Sequence, residues 1–363
     1  MNITTLGIDL GKNVFHLHGV DEHGKPVVQK RLRRQQLIAF AANLPPCLVG
    51  MEACPGANHW ARSFREYGHE VRLMSPQFVK PYVKSNKNDA NDAEAICEAV
   101  SRPNMRFVSV KTVGQQDIQG LHRVRSRLVG QRTALVNQTR GLLMEYGVVV
   151  PQTPAVLRRR LPEILEDAEN GLTATARALF ASLYEELRQL DERVREMEQR
   201  VQQVYKSLEP CQRLAEVPGI GPLTATAFVA AVGDARAFHS GREMAAWLGL
   251  VPRQSSTGGR PRLLGISKRG DRYLRTLLIH GARAVLRVAH RHPDGRNRWV
   301  QAGEHRRGKN VAAVALANKN ARIRLGVVGH GRTVSSGSID NKSRQSARDH
   351  LNELSLPTVA QTG

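Results

Sequence analysis

The stretch Thr5-Leu-Gly-Ile-Asp-Leu10 decides the fold of the first third of this chain. It is a short apolar run, which is typical of a buried strand, and it holds the carboxylate of Asp9 near its end. An unpaired charge inside a buried strand is costly. This position makes Asp9 a candidate functional residue.

Strands and helices follow this run in a defined order. Apolar runs predict strands over 14–20, 25–33, 47–51 and 70–74, and helical periodicity predicts helices over 35–44, 57–67 and 89–100. Turn residues and prolines separate these segments. Three early strands, followed by helices that alternate with strands, is the order of a ribonuclease-H-like fold. We therefore expect an α/β domain over residues 1–110.

Three further acidic residues lie at the end of a predicted strand or on one face of a predicted helix. Glu52 follows the strand 47–51, while Asp89 and Asp92 are three residues apart and share one face of a helix. Such carboxylates can converge in one pocket, where they repel each other unless a cation joins them. Oxygen ligands favour Mg²⁺ or Mn²⁺, and two ions about 4 Å apart suit phosphodiester chemistry. One of these acids alone would more often be a cap or a surface charge, but the set of four with Asp9 predicts a metal site.

The charge of the chain favours a polyanionic partner. Its 363 residues carry a net charge of +22, with only 5% aromatic residues. Residues 101–160 have a net charge of +9 and residues 253–324 a net charge of +15. Basic stretches of this kind bind phosphate, so nucleic acid is the expected partner.

Other functional classes find little support in the sequence. The four cysteines form no CxxC pair, which argues against a zinc ribbon or a disulfide framework. His16 and His18 share one face of a strand without a third ligand at metal spacing, so we expect them to be structural. No apolar run approaches the roughly 20 residues of a membrane span, and no signal peptide opens the chain. We expect a reduced, soluble, cytoplasmic protein with no membrane partner.

We place a basic helical segment and a coiled coil over residues 111–210, and a heptad pattern marks its acidic part, residues 163–209. Apolar residues alternate spacings of four and three: Leu183, Leu187, Leu190, Val194, Met197, Val201, Val204 and Leu208. The pattern predicts a helical hairpin or a coiled coil, and an amphipathic helix packed on its own domain is an equal alternative. The tail over 329–363 has no periodicity and is expected to be disordered.

Val217-Pro-Gly-Ile-Gly221 precedes a helix over 226–232. Gly219 and Gly221 permit a tight turn whose amides, with the following helix N-terminus, can meet a phosphate. The segment is similar to the hairpin of a helix-hairpin-helix element, which grips the DNA backbone without reading sequence. An ordinary Pro-Gly connection between helices is the alternative.

The third motif joins hydroxyls, glycines and cations. Ser255, Ser256 and Thr257 precede two glycines, and the surrounding cations are Arg253, Arg260, Arg262, Lys268 and Arg269. A hydroxyl nucleophile needs close approach to phosphorus, which glycine allows, and positive charge, which arginine supplies. No histidine is near enough in sequence to be its base, so a metal-bound hydroxide or a carboxylate of the other domain would have to activate it. A flexible basic loop that only touches phosphate is the alternative.

These motifs resemble the DEDD transposases of bacterial insertion sequences, in the insertion sequence 110 family, 1111 subgroup. Gly-Ile-Asp9, Gly-Met-Glu52-Ala and Asn88-Asp-Ala-Asn-Asp92 are similar to the Asp-Glu-Asp-Asp set of that family. Residues 217–221, 248–253 and 266–270 are similar to motifs of its second, C-terminal domain. The resemblance covers roughly residues 4–325.

The resemblance implies a DNA recombinase with a site in two parts. An N-terminal RuvC-like domain would hold Mg²⁺ or Mn²⁺ through Asp9, Glu52, Asp89 and Asp92. A mainly helical C-terminal domain over 211–328 would supply a serine that forms a covalent intermediate with DNA, with the acids beside it in trans. It also implies dimers and tetramers bridged by the coiled coil, a structured guide RNA encoded by the element, and a bacterial cytoplasmic location.

The identity of the nucleophile departs from the family pattern. In much of the family the serine directly precedes the glycine, where this chain has Thr257. We expect Ser256 to be the nucleophile because a primary hydroxyl is less hindered, with Thr257 second.

Two other functions fit the same residues. A RuvC-like Holliday-junction nuclease would hydrolyse DNA with water at the four acids, and its hydroxyl loop would be dispensable. A non-catalytic nucleic-acid-binding protein would show neither cleavage nor metal dependence.

Overall fold

The structure is a computed structural model, which describes residues 2–84, 88–233, 238–260, 262–292 and 294–330. Contacts divide the chain into two compact units. The first runs to Gln119 and includes a short segment that begins at Ala230, and the second spans Gly120–Val229 and continues from Phe238. The predicted domain boundaries at 110, 210 and 328 stay predictions. The tail expected to be disordered lies outside the described residues from 331 onward.

The first unit is built on a six-stranded mixed sheet in the order β3-β2-β1-β4-β5-β6. The strands are β1 Thr5–Leu10, β2 Val14–Val20, β3 Pro26–Arg33, β4 Leu48–Glu52, β5 Glu70–Met74 and β6 Phe107–Val108. The helices are α1 Arg34–Ala42, α2 Ala57–Glu66, α3 Pro76–Val79 and α4 Asp89–Val100. β1 is antiparallel to β2 and parallel to β4, which is parallel to β5. The elements predicted over residues 5–100 are confirmed, with ends shifted by at most two residues; α3 and β6 add to them.

Alternation along the strands gives the sheet an apolar core on each face. Leu6 and Ile8 of β1 are fully buried in a cluster with the side chains of α1 and α2. In this cluster Phe15 meets the ring of Trp60 edge to face, with centroids 5.0 Å apart. Gly7 and Asp9 point to the opposite face, because neighbouring residues of a strand alternate. That opposite face carries α4.

The second unit is mainly helical and includes one short β-hairpin. Its helices are α5 Val113–Met144, which begins in the first unit, α6 Pro154–Glu166, α7 Ala174–Ser207, α8 Glu209–Ala215, α9 Pro222–Val232, whose last residues from Ala230 belong to the first unit, α10 Gly241–Trp247, α11 Arg272–Val288, α12 Gly295–Arg307 and α13 Lys309–His330. The hairpin pairs β7 Pro252–Gln254 with β8 Leu263–Ile266 in antiparallel fashion. The expected α/β domain followed by a mostly helical remainder is therefore observed.

The heptad seam of α7 packs inside its own chain. Leu187, Leu190, Val194 and Met197 are buried in one cluster with apolar residues of α5 and α6. Two ion pairs join α7 to α5, Arg125 to Glu198 at 2.5 Å and Arg132 to Asp191 at 3.0 Å. The later residue of α5, Arg132, pairs with the earlier residue of α7, Asp191. The two helices therefore run antiparallel. The structure contains the predicted helical hairpin, and the seam also packs within its own unit, as the alternative of an amphipathic helix requires.

Two expectations drawn from composition can be compared with the fold. The four cysteines are free thiols, and Cys47, Cys97 and Cys211 are buried. Among the residues that the structure describes, no helix combines the length and the apolar character needed to cross a bilayer.

Candidate active site

Two carboxylates lie at the same edge of the sheet in the first unit. Asp9 is the fifth residue of β1 and Glu52 ends β4, and the parallel register of these strands pairs Ile8 with Met51. Asp9 and Glu52 therefore follow at equivalent positions. Burial raises the pKa of the nearby Cys54 thiol, and the negative charges of Glu52 and Asp9 raise it further. Both acids are thus close enough to Cys54 to act on the pKa of its thiol.

Two glycines allow α4 to reach this edge. A Cβ on Gly7 would lie 2.3 Å from the carbonyl oxygen of Ala93, and a Cβ on Gly50 would lie 2.8 Å from Cβ of Val100. The helix therefore rests directly on the backbone of β1 and β4. Each glycine stands two residues before an acid of the same strand, so both acids face the side of the sheet that α4 covers.

The first turn of α4 carries the other two predicted acids, Asp89 and Asp92. Asn88 caps the helix, because its side chain accepts a hydrogen bond from the amide of Ala90 at 3.1 Å. Asp89 is exposed, and its Oδ2 lies 3.7 Å from Nδ1 of His16 on β2. Glycine packing and helix capping thus bring Asp89 to the strand hairpin that holds Asp9.

A set of possible metal ligands forms at this place. One ligand atom each from Asp9, His16 and Asp89 lies within 4.8 Å of the others. Two carboxylates and an imidazole fit a divalent cation in charge and in donor type. Among the described residues, Glu52 and Asp92 are not part of this set. Their role as ligands stays a prediction, and so does the role of the four acids in catalysis.

His16 is not among the site residues predicted from the sequence. No third ligand has a suitable spacing from it along the chain, and this pattern predicts a structural role. The antiparallel register of β1 and β2 pairs Asp9 directly with His16, and opposite residues of such a pair point to the same face. In a hairpin with a turn at residues 11–13, counting residues outward along both strands pairs Asp9 with His16, so the sequence contains a signal for this contact.

The predicted nucleophiles lie at the tip of the hairpin in the second unit. Gly258 and Gly259 have φ values of +57° and +74°, which form the two-residue turn that matches the twist of a hairpin. The amide of Arg260 donates to the carbonyl of Thr257 at 3.1 Å and closes this turn. Ser256 and Thr257 therefore stand beside a tight turn and are exposed.

The hydroxyl of Ser256 has one defined partner. Its Oγ accepts a hydrogen bond from Nε2 of Gln254 at 2.8 Å. Because the amide is the donor, this bond leaves the hydroxyl's own proton for another acceptor. The five predicted phosphate-contacting cations, Arg253, Arg260, Arg262, Lys268 and Arg269, are exposed.

The glycine turn between α8 and α9 contains two predicted DNA-contacting residues, Gly219 and Gly221, which have different surroundings. Gly219 has a φ of +91° and packs against α11, where an added Cβ would lie 3.0 Å from the carbonyl oxygen of Gly281. The close approach that this glycine permits is thus made to the chain itself. Gly221 has open space around its Cα, so its predicted contact with phosphate is compatible with the fold.

Comparison with known proteins gives related chains that match over nearly the full length. A probable family 20 transposase of Pseudomonas aeruginosa is 54% identical over 324 residues, which are 89% of this chain and 96% of the relative. The transposase for insertion sequence element IS1111A of Coxiella burnetii is 50% identical over 89% of this chain and 88% of its own length. The transposase for IS1328 of Yersinia enterocolitica is 45% identical over 89% of this chain and 96% of its own length.

The models of two transposase families match the same chain. Residues 6–148 match a DEDD transposase model of the IS110 type, and residues 211–299 match the transposase family IS116/IS110/IS902. This chain belongs to the IS110 family of transposases. The first match contains the four predicted acids of the transposase, and the second contains its hydroxyl hairpin. The resemblance stated from sequence is confirmed, and the chain is a DNA recombinase that binds DNA.

Proposed function

We propose that this transposase cuts and rejoins insertion-sequence DNA by phosphoryl transfer to the hydroxyl of Ser256. The observation that carries the proposal is the position of this hydroxyl beside the two-glycine turn of an exposed, arginine-rich hairpin. The turn lets backbone approach a DNA strand closely. The bond from Gln254 holds the oxygen without using its proton.

The transfer conserves the energy of the phosphodiester bond that it breaks. Oγ of Ser256 forms a new bond to phosphorus, the bond between phosphorus and one deoxyribose oxygen breaks, and that oxygen leaves with a proton. The serine proton passes to a base. Arg253 and Arg260 can balance charge on the phosphoryl oxygens during this step. Because the product is a phosphoserine ester, rejoining needs no external source of energy.

The first unit would supply the metal-dependent half of the chemistry, in a RuvC-like variant of the ribonuclease-H-like fold. A divalent cation, Mg²⁺ or Mn²⁺, would polarise a phosphoryl oxygen. Asp9, Glu52, Asp89 and Asp92 would hold it, in keeping with the common edge of β1 and β4 and with the docking of α4 there. The strand order of the sheet and the DEDD match support this assignment.

A structured guide RNA and a second copy of the chain complete the proposal, which places the enzyme in the bacterial cytoplasm, where its DNA lies. The net charge of +9 over residues 101–160 supports an RNA or DNA contact. Dimers and tetramers would need a surface other than the middle of the α7 seam. From Leu187 to Val201 the apolar residues of that seam are buried within one chain.

A covalent adduct on a denaturing gel tests the proposal. The protein mixed with DNA of the element's ends should give a shifted band that Ser256→Ala abolishes. Ser255→Ala is the matched control and should keep the adduct, because the ladder contact of Ser255 uses its backbone amide and the carbonyl of Arg262. A nucleotide mapped to Thr257 would move the assignment by one residue. Free 5′-phosphate ends without an adduct would favour the hydrolytic nuclease, and no cleavage at all would favour a non-catalytic binder.

A further inference from the structure

His16 lies at the predicted metal site without belonging to the four predicted acids. It is the register partner of Asp9 across β1 and β2, and its Nδ1 is 3.7 Å from Oδ2 of Asp89 on α4. The side chain is 21% exposed, so most of it is fixed by its surroundings. Three separate elements, β1, β2 and α4, thus bring one donor atom each to the same place.

The distance between Nδ1 of His16 and Oδ2 of Asp89 fits two ligands of one shared metal ion better than a direct hydrogen bond. A hydrogen bond between nitrogen and oxygen is about 2.7 to 3.2 Å long, so 3.7 Å is too long for one. Two ligand atoms that each bind an ion at about 2.1 Å lie about 3.0 Å apart at a right angle and about 4.2 Å apart when opposite. The observed distance lies within that range.

We propose that His16 is a direct nitrogen ligand of the divalent cation, together with Asp9 and Asp89, and that it shifts the site's preference from Mg²⁺ towards Mn²⁺ and later transition metals. The inference rests on the proposed metal-dependent function. Mg²⁺ prefers oxygen ligands and keeps most of its water, whereas imidazole binds transition metals well. A site of four carboxylates would lack this discrimination.

Electron paramagnetic resonance of Mn²⁺ tests the ligand without any activity measurement. The full-length protein with bound Mn²⁺ should show electron spin-echo modulation from a coordinated ¹⁴N nucleus. His16→Asn should remove this modulation and raise the Kd for Mn²⁺ at least about tenfold, with a smaller change for Mg²⁺ in competition. His23→Asn is the matched control, because His23 is exposed on the turn after β2. It should leave both readouts unchanged.

The outcomes separate this inference from the function on which it rests. Mn²⁺ binding without nitrogen modulation in the unsubstituted protein overturns the role of His16 alone, and that measurement needs no variant to fold. The same holds if the modulation survives in His16→Asn, or in His16→Gln where the first variant fails to fold. No Mn²⁺ or Mg²⁺ binding in the unsubstituted protein overturns both the inference and the metal-dependent part of the proposed function.

Discussion

Gly7 and Gly50 are register partners across the parallel strands β1 and β4, and α4 packs against both. The pair has no side chain on the face that the helix covers, so the helix backbone can approach the sheet. Two residues further on, the same face carries Asp9 and Glu52. The arrangement explains how a sheet and a helix distant in sequence place their acids together.

The substitution Gly7→Ala should destabilise the first unit by at least about 2 kcal/mol, because the new methyl group meets helix backbone that cannot turn aside. The added Cβ would lie 2.4 Å from the amide nitrogen of Cys97 as well as 2.3 Å from the carbonyl oxygen of Ala93. Urea unfolding measures the loss. Gly114→Ala is the control, since its Cβ would meet nothing within 4 Å and alanine favours a helix. Equal midpoints for the two variants would contradict the packing argument.

The sequence predicts the first unit well because its signals are local. Apolar runs of strand length and the prolines between them fix the elements over residues 5–100, and the acids stand out as charges in apolar surroundings. The contact between Gly7 and Cys97 is not local, and no residue pattern measures how deeply α4 sits on the sheet. The position of His16 beside Asp9 and Asp89 was not predicted for the same reason, because it is set by strand register and by that docking.

The sequence also does not determine which helix packs against the apolar seam of α7. A heptad pattern gives the spacing of apolar residues but not the identity of the partner helix. The structure supplies α5, which is antiparallel and carries Arg125 and Arg132 opposite Glu198 and Asp191. Similarly, no sequence pattern predicts that Gly219 packs against Gly281, and its predicted contact with phosphate stays a prediction.

Asp9→Asn should remove nearly all strand exchange while the fold and DNA binding persist, because the substitution keeps the shape of the side chain and removes one negative ligand. Recombination of element-end DNA in Mg²⁺ and in Mn²⁺ measures the loss, and gel shift measures binding. Glu22→Gln changes the same charge on an exposed turn and should leave recombination intact. Near-normal recombination by Asp9→Asn would remove this acid from the active site.

The cations of the hydroxyl hairpin should contact phosphate. Each phosphate contact on duplex DNA contributes about −0.9 to the slope of log K against log salt. Arg260→Gln should therefore make this slope shallower by about 0.9, whereas Arg188→Gln should not change it. Arg188 lies on α7 and pairs with Glu185 at 3.1 Å. Fluorescence anisotropy from 50 to 300 mM salt decides the matter, and a flat response of the parent protein would refute a polyanionic partner.

Asp191 holds three helices together in the second unit. It is buried on α7, accepts a hydrogen bond from Arg132 of α5 at 3.0 Å, and forms an ion pair with Arg158 of α6 at 2.9 Å. Asp191→Ala leaves two guanidinium groups without their anion and should cost about 3 kcal/mol of unfolding free energy. Glu185→Ala breaks an exposed pair with Arg188 and should cost less than about 1 kcal/mol. Denaturant unfolding compares the two variants. Similar losses of unfolding free energy would show that the buried ion pairs of Asp191 stabilise the protein no more than the exposed pair does.

His122 should make the stability of the second unit depend on pH. Its Nε2 lies 3.0 Å from Oγ1 of Thr226, and its Nδ1 lies 3.1 Å from the hydroxyl of Tyr273. Thr226 already donates its own proton to the carbonyl of Pro222 at 2.8 Å, so Nε2–H must donate to Thr226. Nδ1 then accepts from Tyr273, and the ring is neutral.

Burial, together with the nearby positive charge of Arg125, lowers the pKa of His122 from its ordinary value of 6.5 to about 4. The unfolded chain therefore binds a proton between these two values while the folded chain does not. In this window stability rises with pH, by about 1.4 kcal/mol for each pH unit, so about 3 kcal/mol should be lost as the pH falls from 6.5 to 4. Urea midpoints at pH 7 and pH 5 measure the effect. His122→Gln keeps a polar side chain but cannot titrate, so its midpoint should change less between the two pH values; an equal change in both proteins would show that another group is responsible.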